Sequence, residues 1–580
     1  MARICIFGAG PGGLYVALRL LQSGSFCSDD TLELFDWGNY RFEGEHGSRA
    51  AAGRICTYHH RDDPTQSYIE VGGMRYIEWD ETPKGSGHRL VSTMIRTLGL
   101  QEESVPFNTT DNPLFFLRGK NFYSSDISET SPAPYNTPHA AKSPDDAFTY
   151  VADQAIQKGL ELDDRAEQCR FYSDGRLSDT YRGVFEPGQR LRDIGYWNLL
   201  YDVLGNEGYR YADMGGGYES NVINWHSADA LIYNSEFAPG GTFKTLRHGY
   251  STLFARMFAE IEALSKKEGA PRFHYHARHR LHSITAPHGK ISFRTATAEA
   301  PYVGGEAQTA DKVVLALPPE SLELVAQATR YANVEGDLLN EPKVALYRDS
   351  VIKQPSYKVA MFFSSPWWEK TKYPPRLVGS DPSATNVFGP TITDLPIRQV
   401  YYFGNNSPSG ASPAVYALLA SYDDESFTSF WQELEIGPNR DRLVPVSQQL
   451  QPLHGPRHAP EAMVRMLRGE LARVHNGPDA TLELVPTPLE TVFMDWSQKP
   501  FGAGYHAWAA HYDICDVMAN IRKPSRLVEG LDAEVYIVGS AYSNDQAWVE
   551  GAFCTAESVL NDFFGVAPII DPTDYPFICR

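Results

Sequence analysis

Residues 1–36 read MARICIFGAGPGGLYVALRLLQSGSFCSDDTLELFD, and this stretch decides the fold. An apolar run from Arg3 to Phe7 leads into Gly8-Ala9-Gly10-Pro11-Gly12-Gly13. A helix-spaced apolar series follows (Leu14, Val16, Ala17, Leu18, Leu20, Leu21), Gly24 stops it, and Leu32-Glu33-Leu34-Phe35 closes on Asp36. Strand, glycine turn, helix, strand and acid in that order make a βαβ unit with its glycines where a dinucleotide requires them. Gly8 permits the tight turn, Gly10 lets the backbone approach a pyrophosphate, and Gly13 lets the helix lie close to the strand. The free N–H groups at the helix start can then hold phosphates. Asp36 sits where a carboxylate accepts both ribose hydroxyls, and its charge argues against a 2′-phosphate. The fold class that follows is α/β, with a Rossmann-like nucleotide-binding domain.

At 580 residues the chain is several times the usual domain size, so more than one folding unit or a domain with insertions is expected. A formal net charge of −20 repels phosphate backbones and anionic lipid, which argues against nucleic acid and membrane partners. No apolar run approaches the roughly 20 residues of a membrane span. The nucleotide-binding strand begins at Arg3, leaving no room for a signal peptide, so a cytoplasmic location is expected. Seven scattered cysteines (Cys5, Cys27, Cys56, Cys169, Cys515, Cys554, Cys579), never spaced C-x-x-C, fit a reducing compartment without a disulfide framework. His274, His276, His279 and His282 do not share one strand face and lack a completing Cys or carboxylate, so they read as a solvated strand and no metal is expected.

Past Asp36, Ala50 to Thr57 precedes Tyr68-Ile69-Glu70-Val71-Gly72-Gly73-Met74-Arg75, a short strand that breaks into a Gly-Gly turn with an arginine beyond it. Such a cation can face a cofactor edge or grip a carboxylate with two parallel hydrogen bonds. Residues 104–146, rich in Ser, Thr, Pro, Asn and Asp, read as a surface excursion. Ala147 to Gly159 and Gly188 to Gly205 have helical spacing, and Gly215-Gly216-Gly217 follows no strand and holds no phosphate. Phe273 to Ile284 and Lys290 to Thr297 suggest a hairpin-like pair, and Asp311 to Leu317 a buried parallel strand returning to the first sheet. Strands at Tyr357 to Phe363, Arg398 to Phe403 and Val415 to Ser421 suggest a mixed or antiparallel sheet. A helix near Glu461 to Val474 follows, then Pro500 to Trp508, the strand Glu534 to Val538, and a helix opening around Trp548.

Together these pieces resemble the flavin-dependent amine oxidase superfamily, and within it the L-amino acid oxidases and amino acid 2-monooxygenases. The motifs that carry the likeness are Gly8 to Gly13 with Asp36; Gly53-Arg54; Gly72 to Arg75; Tyr357 to Phe362 with Pro366-Trp367-Trp368; Thr393 to Arg398; and Gly539-Ser540-Ala541-Tyr542 leading to Ala547 to Gly551. The resemblance implies FAD as cofactor, touched by Gly8, Gly10, Pro11, Gly12, Gly13, Asp36, Gly53, Arg54, Gly72, Gly73, Met74, Arg75, Leu281, Gly539, Ser540, Ala547, Trp548 and Val549. It implies that Arg75 and Tyr422 take a substrate carboxylate, that Lys358 holds a water beside the flavin, and that Trp548 walls the site. Trp508, in a Gly-x-Gly-x-His-x-Trp run like that of the 2-monooxygenases, would line the side-chain pocket. The implied architecture is a glutathione-reductase-type FAD domain (1–68, 245–325, 500–568), a mixed-sheet substrate domain (69–118, 340–499) and a mainly helical insertion (119–244).

The implied reaction is FAD-dependent oxidative deamination of an L-amino acid to the 2-oxo acid, with O2 as acceptor and ammonia and hydrogen peroxide released. The alternative is a 2-monooxygenase that decarboxylates to the amide. Simple amines would not use the carboxylate contacts at Arg75 and Tyr422. A homodimer or higher homo-oligomer is expected. Three departures from the family stand out. Ser540 occupies a position where a ribityl-binding Glu is usual, Ala547 replaces a common Gly, and Asp423-Asp424 follow Tyr422 where an aromatic is frequent. Asp424 reads either as a solvated loop acid or, turned inward, as a substrate contact favouring a cationic side chain. His226 is a candidate base by rough position, with a surface histidine the stronger reading.

Overall fold

The computed structural model describes residues 1–38, 49–60, 67–79, 87–110, 112–128, 130–137, 143–156, 162, 164–236, 243–376, 388–406, 415–435 and 455–580. The opening βαβ unit forms as its sequence dictates. Strand Arg3–Phe7 turns through Gly8, helix Pro11–Ser23 follows, and Gly24 ends it in the left-handed conformation at φ 64°. Strand Thr31–Asp36 then pairs parallel with Arg3–Phe7. Arg272–Ala277 extends this sheet on one side, and Lys312–Leu315 followed by Val535–Ile537 on the other, all parallel. Helices Pro11–Ser23, Thr252–Leu264 and Val549–Phe564 bury one face of the sheet in a core that includes Leu14, Phe254 and Phe553. Apart from the partly exposed edge strand Arg272–Ala277, these strands are buried on both faces and read as largely apolar runs rather than alternating ones.

A second sheet, nine-stranded among the described residues, stands against the first. Its centre is antiparallel: Ser356–Phe363 lies between Tyr416–Asp424 and Glu490–Asp495, and Gln399–Gly404 pairs with Tyr416–Asp424. Helices Ser426–Leu434 and Glu461–Asn476 cover its outer face around Trp431 and Leu471. The inner face carries Met74, Phe107, Tyr401 and Trp496. The register sets Lys358 directly opposite Tyr422 on the neighbouring strand. Residues far apart in the chain therefore become side-by-side neighbours.

Helices Pro144–Ala155, Arg165–Asp174, Tyr196–Gly216 and Ser227–Glu236 form a helical layer at one end. Ser143 starts the first with a reciprocal cap, its hydroxyl accepting from the Asp146 N–H and the Asp146 carboxylate accepting from the Ser143 N–H. The helix expected to end at Gly205 runs on to Gly216, with Gly205 itself non-helical.

Three expectations need correction. The polar stretch 104–146 is not wholly surface, because Leu114–Leu117 is a buried strand pairing with Phe388–Thr393. Its short LFFL core was hidden among turn-forming neighbours. Phe273 to Ile284 is not one hairpin arm. Arg278, at φ 60°, breaks it, so Arg272–Ala277 joins the parallel sheet while His279–Thr285 pairs antiparallel with Ile291–Thr297. Cysteine is also not wholly free, since Cys169 of the helical layer and Cys579 beside the C-terminus form a disulfide across 410 residues of sequence. No spacing rule reaches that far, and a disulfide of this kind belongs to an oxidising environment. Among the described residues no helix is long and apolar enough to cross a membrane, and no group of three or more His, Cys, Asp or Glu could hold a metal ion.

Candidate active site

Three cavities join end to end. The first, about 860 Å³, is walled by Gly8, Asp36, Trp37, Arg280 and Leu281. The second, also about 860 Å³, is walled by Pro11, Gly12, Arg54, Gly539 and Ser540. The third, about 830 Å³, is walled by Gly72, Met74, Arg75, Lys358 and Tyr422. Gly10 and Gly53 belong to the first and second, while Gly73, Ala547, Trp548 and Val549 belong to the second and third, so the three form one trough.

The trough fits a long nucleotide at its first two segments. Helix Pro11–Ser23 has no side-chain cap and no acid in its first turn, so its N-terminal N–H groups and dipole face the cavity uncompensated. Gly13 lines none of the cavities but lies beneath the turn, where a Cβ would come 1.8 Å from the Gly8 carbonyl oxygen. Gly8, at φ 104°, takes a conformation that side-chain-bearing residues rarely adopt. The Asp36 carboxylate lines the first cavity and accepts from the Ala9 N–H at 3.3 Å; burial raises its pKa to about 6. Arg280 lies with its guanidinium 4.6 Å from the Trp37 ring centroid at the same end. A second uncapped helix, Val549–Phe564, begins at the wall of the middle segment. Its first-turn acid does not oppose an anion there, because the Glu550 carboxylate turns away to accept the Leu90 and Val91 N–H groups.

The third cavity is built from the mixed sheet, the turn at residues 72–75, the start of helix Val549–Phe564 and the helical layer. The Val71-Gly72-Gly73 turn is gripped by two side chains of the mixed sheet: Trp496 Nε1 donates to the Val71 carbonyl at 2.6 Å, and Lys358 Nζ donates to the Gly72 carbonyl at 2.6 Å. Lys358 lies 4.0 Å from the Tyr422 ring centroid, and burial lowers its pKa from 10.5 to about 7. Below it Glu70, fully buried, accepts from the Tyr250 N–H and the Thr57 hydroxyl, and burial raises its pKa to about 8. The Arg75 guanidinium rests 4.1 Å from the Phe243 ring and 5.2 Å from the Phe107 ring, with its Nη1 buried and unpartnered. A buried guanidinium with a free N–H, opening on a cavity, is a site for an anion.

The chain matches the family model for flavin containing amine oxidoreductases over residues 52–559. It belongs to that family. Aplysianin-A of Aplysia kurodai is 24% identical over 97% of this chain and 90% of its own length. Achacin of Lissachatina fulica is 22% identical over 97% and 93%. An L-amino-acid oxidase of Hebeloma cylindrosporum is 22% identical over 99% and 83%. Among solved structures, putrescine oxidase bound to putrescine superposes with a TM-score of 0.59 at 14% identity, covering 97% of this chain and 99% of that one; this likeness concerns the fold alone. The cofactor of this flavin amine oxidoreductase is FAD, and the glycine turn, Asp36 and the two uncapped helices are the features that fit it.

In this amine oxidoreductase three sequence expectations about the substrate end fall away from the cavity wall. Trp508 is fully buried in the core, donating from Nε1 to the Ser543 carbonyl at 3.1 Å, and does not line the substrate cavity. His226 is not on the surface but fully buried at the helical layer, its N–H bonded to the Trp508 carbonyl and its imidazole pKa lowered by burial to about 3. Asp424 is neither a solvated acid nor a wall of the cavity; it is buried and accepts hydrogen bonds from Glu219 and Ser220. Sequence reading missed Tyr218 and Tyr233 of the helical layer and Tyr505, all of which line the cavity. Tyr505 lies three residues from Trp508 on the strand that was singled out. Nothing in the sequence marked Tyr218 or Tyr233.

Proposed function

We propose that this flavoprotein oxidatively deaminates an L-amino acid to the 2-oxo acid, releasing ammonia and hydrogen peroxide. The observation that carries the reading is the Arg75 guanidinium, held over Phe243 with a buried, unpartnered Nη1, in the same cavity as Tyr422 and Lys358. An amino acid brings the carboxylate that such a group accepts, and a simple amine does not. The likeness to an L-amino-acid oxidase of Hebeloma cylindrosporum supports the same substrate class.

FAD, held by the glycine turn, Asp36 and the two uncapped helix starts, would supply a two-electron acceptor for the Cα–H hydride, with O2 and two protons ending as hydrogen peroxide. Arg75 and Tyr422 fix the carboxylate end, so that Cα is presented in one orientation. The phenol and indole walls of Tyr422 and Trp548 narrow the space around the amine and limit water. Lys358, with a pKa near 7, can take up or give a proton at neutral pH without leaving the Gly72 carbonyl. The Cα–N bond becomes an imine, and water completes its conversion to 2-oxo acid and ammonium.

The test is anaerobic mixing of the FAD-loaded protein with a panel of L-amino acids and of amines. Loss of the flavin absorbance with amino acids, and keto acid with ammonia and peroxide in air, is the expected result. Amide with CO2 would assign the protein to the 2-monooxygenases instead. Bleaching by putrescine or benzylamine but by no amino acid would overturn the reading.

A further inference from the structure

Asp424 stands two residues beyond Tyr422, at the end of strand Tyr416–Asp424, and its carboxylate holds a turn of the helical layer. Helix Tyr196–Gly216 ends at Gly217, φ 85°, and the chain passes through Tyr218 into the short 3₁₀ turn Glu219–Val222. Asp424 Oδ1 accepts the Glu219 N–H at 3.1 Å, Oδ2 accepts the Ser220 N–H at 3.1 Å, and the Ser220 hydroxyl donates to the same carboxylate. Tyr505 OH in turn donates to Ser220 Oγ at 2.6 Å. Gln399 Nε2 donates to the Gly217 carbonyl at 3.0 Å, and Glu219 Oε2 accepts the Ser426 N–H at 3.1 Å. Tyr218, delivered by this turn, meets the Tyr422 ring edge-on at 5.4 Å between centroids.

The charges of the cavity restrict what these phenols can face. Its lining holds Arg54, Arg75 and Lys358, and no carboxylate among the described residues. Tyrosine rings could in principle attract a cationic side chain. Here a protein cation already lies against one of the rings, Lys358 over Tyr422 at 4.0 Å, and the Arg75 guanidinium opens on the same cavity. An incoming ammonium or guanidinium side chain would meet two guanidiniums, Arg54 and Arg75, and a lysine that is charged below about pH 7, with no carboxylate on the cavity wall to pair with it, which is costly in a site shielded from water.

We propose that the 217–222 turn, pinned by Asp424, is the specificity wall of the substrate cavity, and that it selects L-amino acids with large uncharged side chains and rejects basic ones. This rests on the deamination reading above. Asp424 is a positioning residue: it acts through Tyr218 and the Ser220–Tyr505 link and not on the substrate. Asparagine at 424 keeps the shape but sets an NH2 group against N–H donors, so Asp424→Asn breaks the latch. Ser220→Ala removes only the hydroxyl bridge and is the milder variant.

The experiment measures kcat and KM by peroxide release for L-phenylalanine, L-leucine, L-lysine and L-arginine. It uses FAD-loaded wild type, Asp424→Asn, Ser220→Ala and Tyr218→Ala, with flavin content per protein as the folding check. Wild type is expected to favour phenylalanine over lysine by at least about tenfold in kcat/KM. Each variant is expected to raise the KM for phenylalanine by roughly tenfold while kcat falls by less than about threefold, a split that loss of a merely structural contact does not produce. Equal or better turnover of lysine or arginine by wild type overturns the inference while leaving deamination standing. An unchanged KM in all three flavin-loaded variants overturns it as well. Flavin that no amino acid bleaches removes the deamination reading, and this inference with it.

Discussion

At the Asp36 end of the trough the wall comes mostly from short contiguous pieces, Gly8 to Gly12, Phe35 to Gly38 and Arg280-Leu281, each following a strand of the parallel sheet. At the Arg75 end the wall comes from single residues on separate segments: Arg75 after a Gly-Gly turn, Lys358 and Tyr422 from two strands of the mixed sheet, Tyr218 and Tyr233 from the helical layer, and Trp548 at a helix start. The first end presents backbone N–H groups to phosphates, a chemistry common to any dinucleotide, so a local turn suffices. The second must discriminate among substrates, and it does so with side chains whose positions depend on the packing of three layers.

The difference predicts how each end fails. Damage to the cradle should be total and local. Gly13→Val places side-chain atoms where even a Cβ would lie 1.8 Å from the Gly8 carbonyl oxygen, and the helix cannot back away from a sheet buried on both faces. The purified variant is expected to be colourless, with no flavin absorbance and no turnover. A yellow, fully loaded Gly13→Val protein would show that the helix start does not hold the cofactor.

Damage to the far end should leave the colour and lose the chemistry. Arg75→Ala removes the buried guanidinium and should cost about 2–4 kcal/mol in kcat/KM for an L-amino acid, the range for one partner of a desolvated charge pair. Arg75→Lys should recover only part of this, because a point charge lacks the two parallel donors. An Arg75→Ala enzyme with unaltered kcat/KM would move carboxylate recognition elsewhere in the cavity.

A smaller effect should follow pH. Lys358 has its pKa lowered by burial to about 7, so the ammonium form dominates below that pH and the free amine above it. If the neutral amine is the active form, kcat/KM rises as pH passes upward through about 7, and in Lys358→Met this step is lost. A profile identical in wild type and Lys358→Met would detach the lysine from the protonation that controls turnover.

How much of each end could be read from sequence follows from the same contrast. Gly8 to Gly13, the following helix and Asp36 were legible because a βαβ turn puts all its contacts within one short segment. The strands around Lys358 and Tyr422 were legible as strands, but the register that makes those two residues neighbours is a property of the sheet. Asp424 was misread because a carboxylate after a strand looks the same whether it meets solvent or the N–H groups of Glu219 and Ser220. Trp508 followed a motif yet turned into the core, since alternation along Tyr505–Trp508 sends Tyr505 to the cavity and its neighbours elsewhere. Tyr218, in the turn after one helix, and Tyr233, within another, carry no local mark of function, and only the docking of that layer brings them to the site.

That docking has a covalent part, which yields the mildest prediction. Arg165 of the helical layer is buried between the Asp545 carboxylate, Tyr575 OH and the Pro576 carbonyl, and Cys169 of the same helix is joined to Cys579. Asp545 lies two residues before Ala547, whose φ of 70° marks the bend that leads into Trp548. The disulfide ties the helical layer to the segment around Cys579, and Arg165 ties the same helix to the loop that carries one wall of the active site. Five cysteines remain free, Cys5, Cys27, Cys56, Cys515 and Cys554, so denatured, unreduced protein should titrate five thiols and reduced protein seven. Cys579→Ser should lower the thermal midpoint by roughly 2–5 °C and leave flavin content intact, since the cradle makes no use of this link. Seven thiols without reductant would show the two cysteines apart in solution, and the helical layer would then be held over the active site by Arg165 and packing alone.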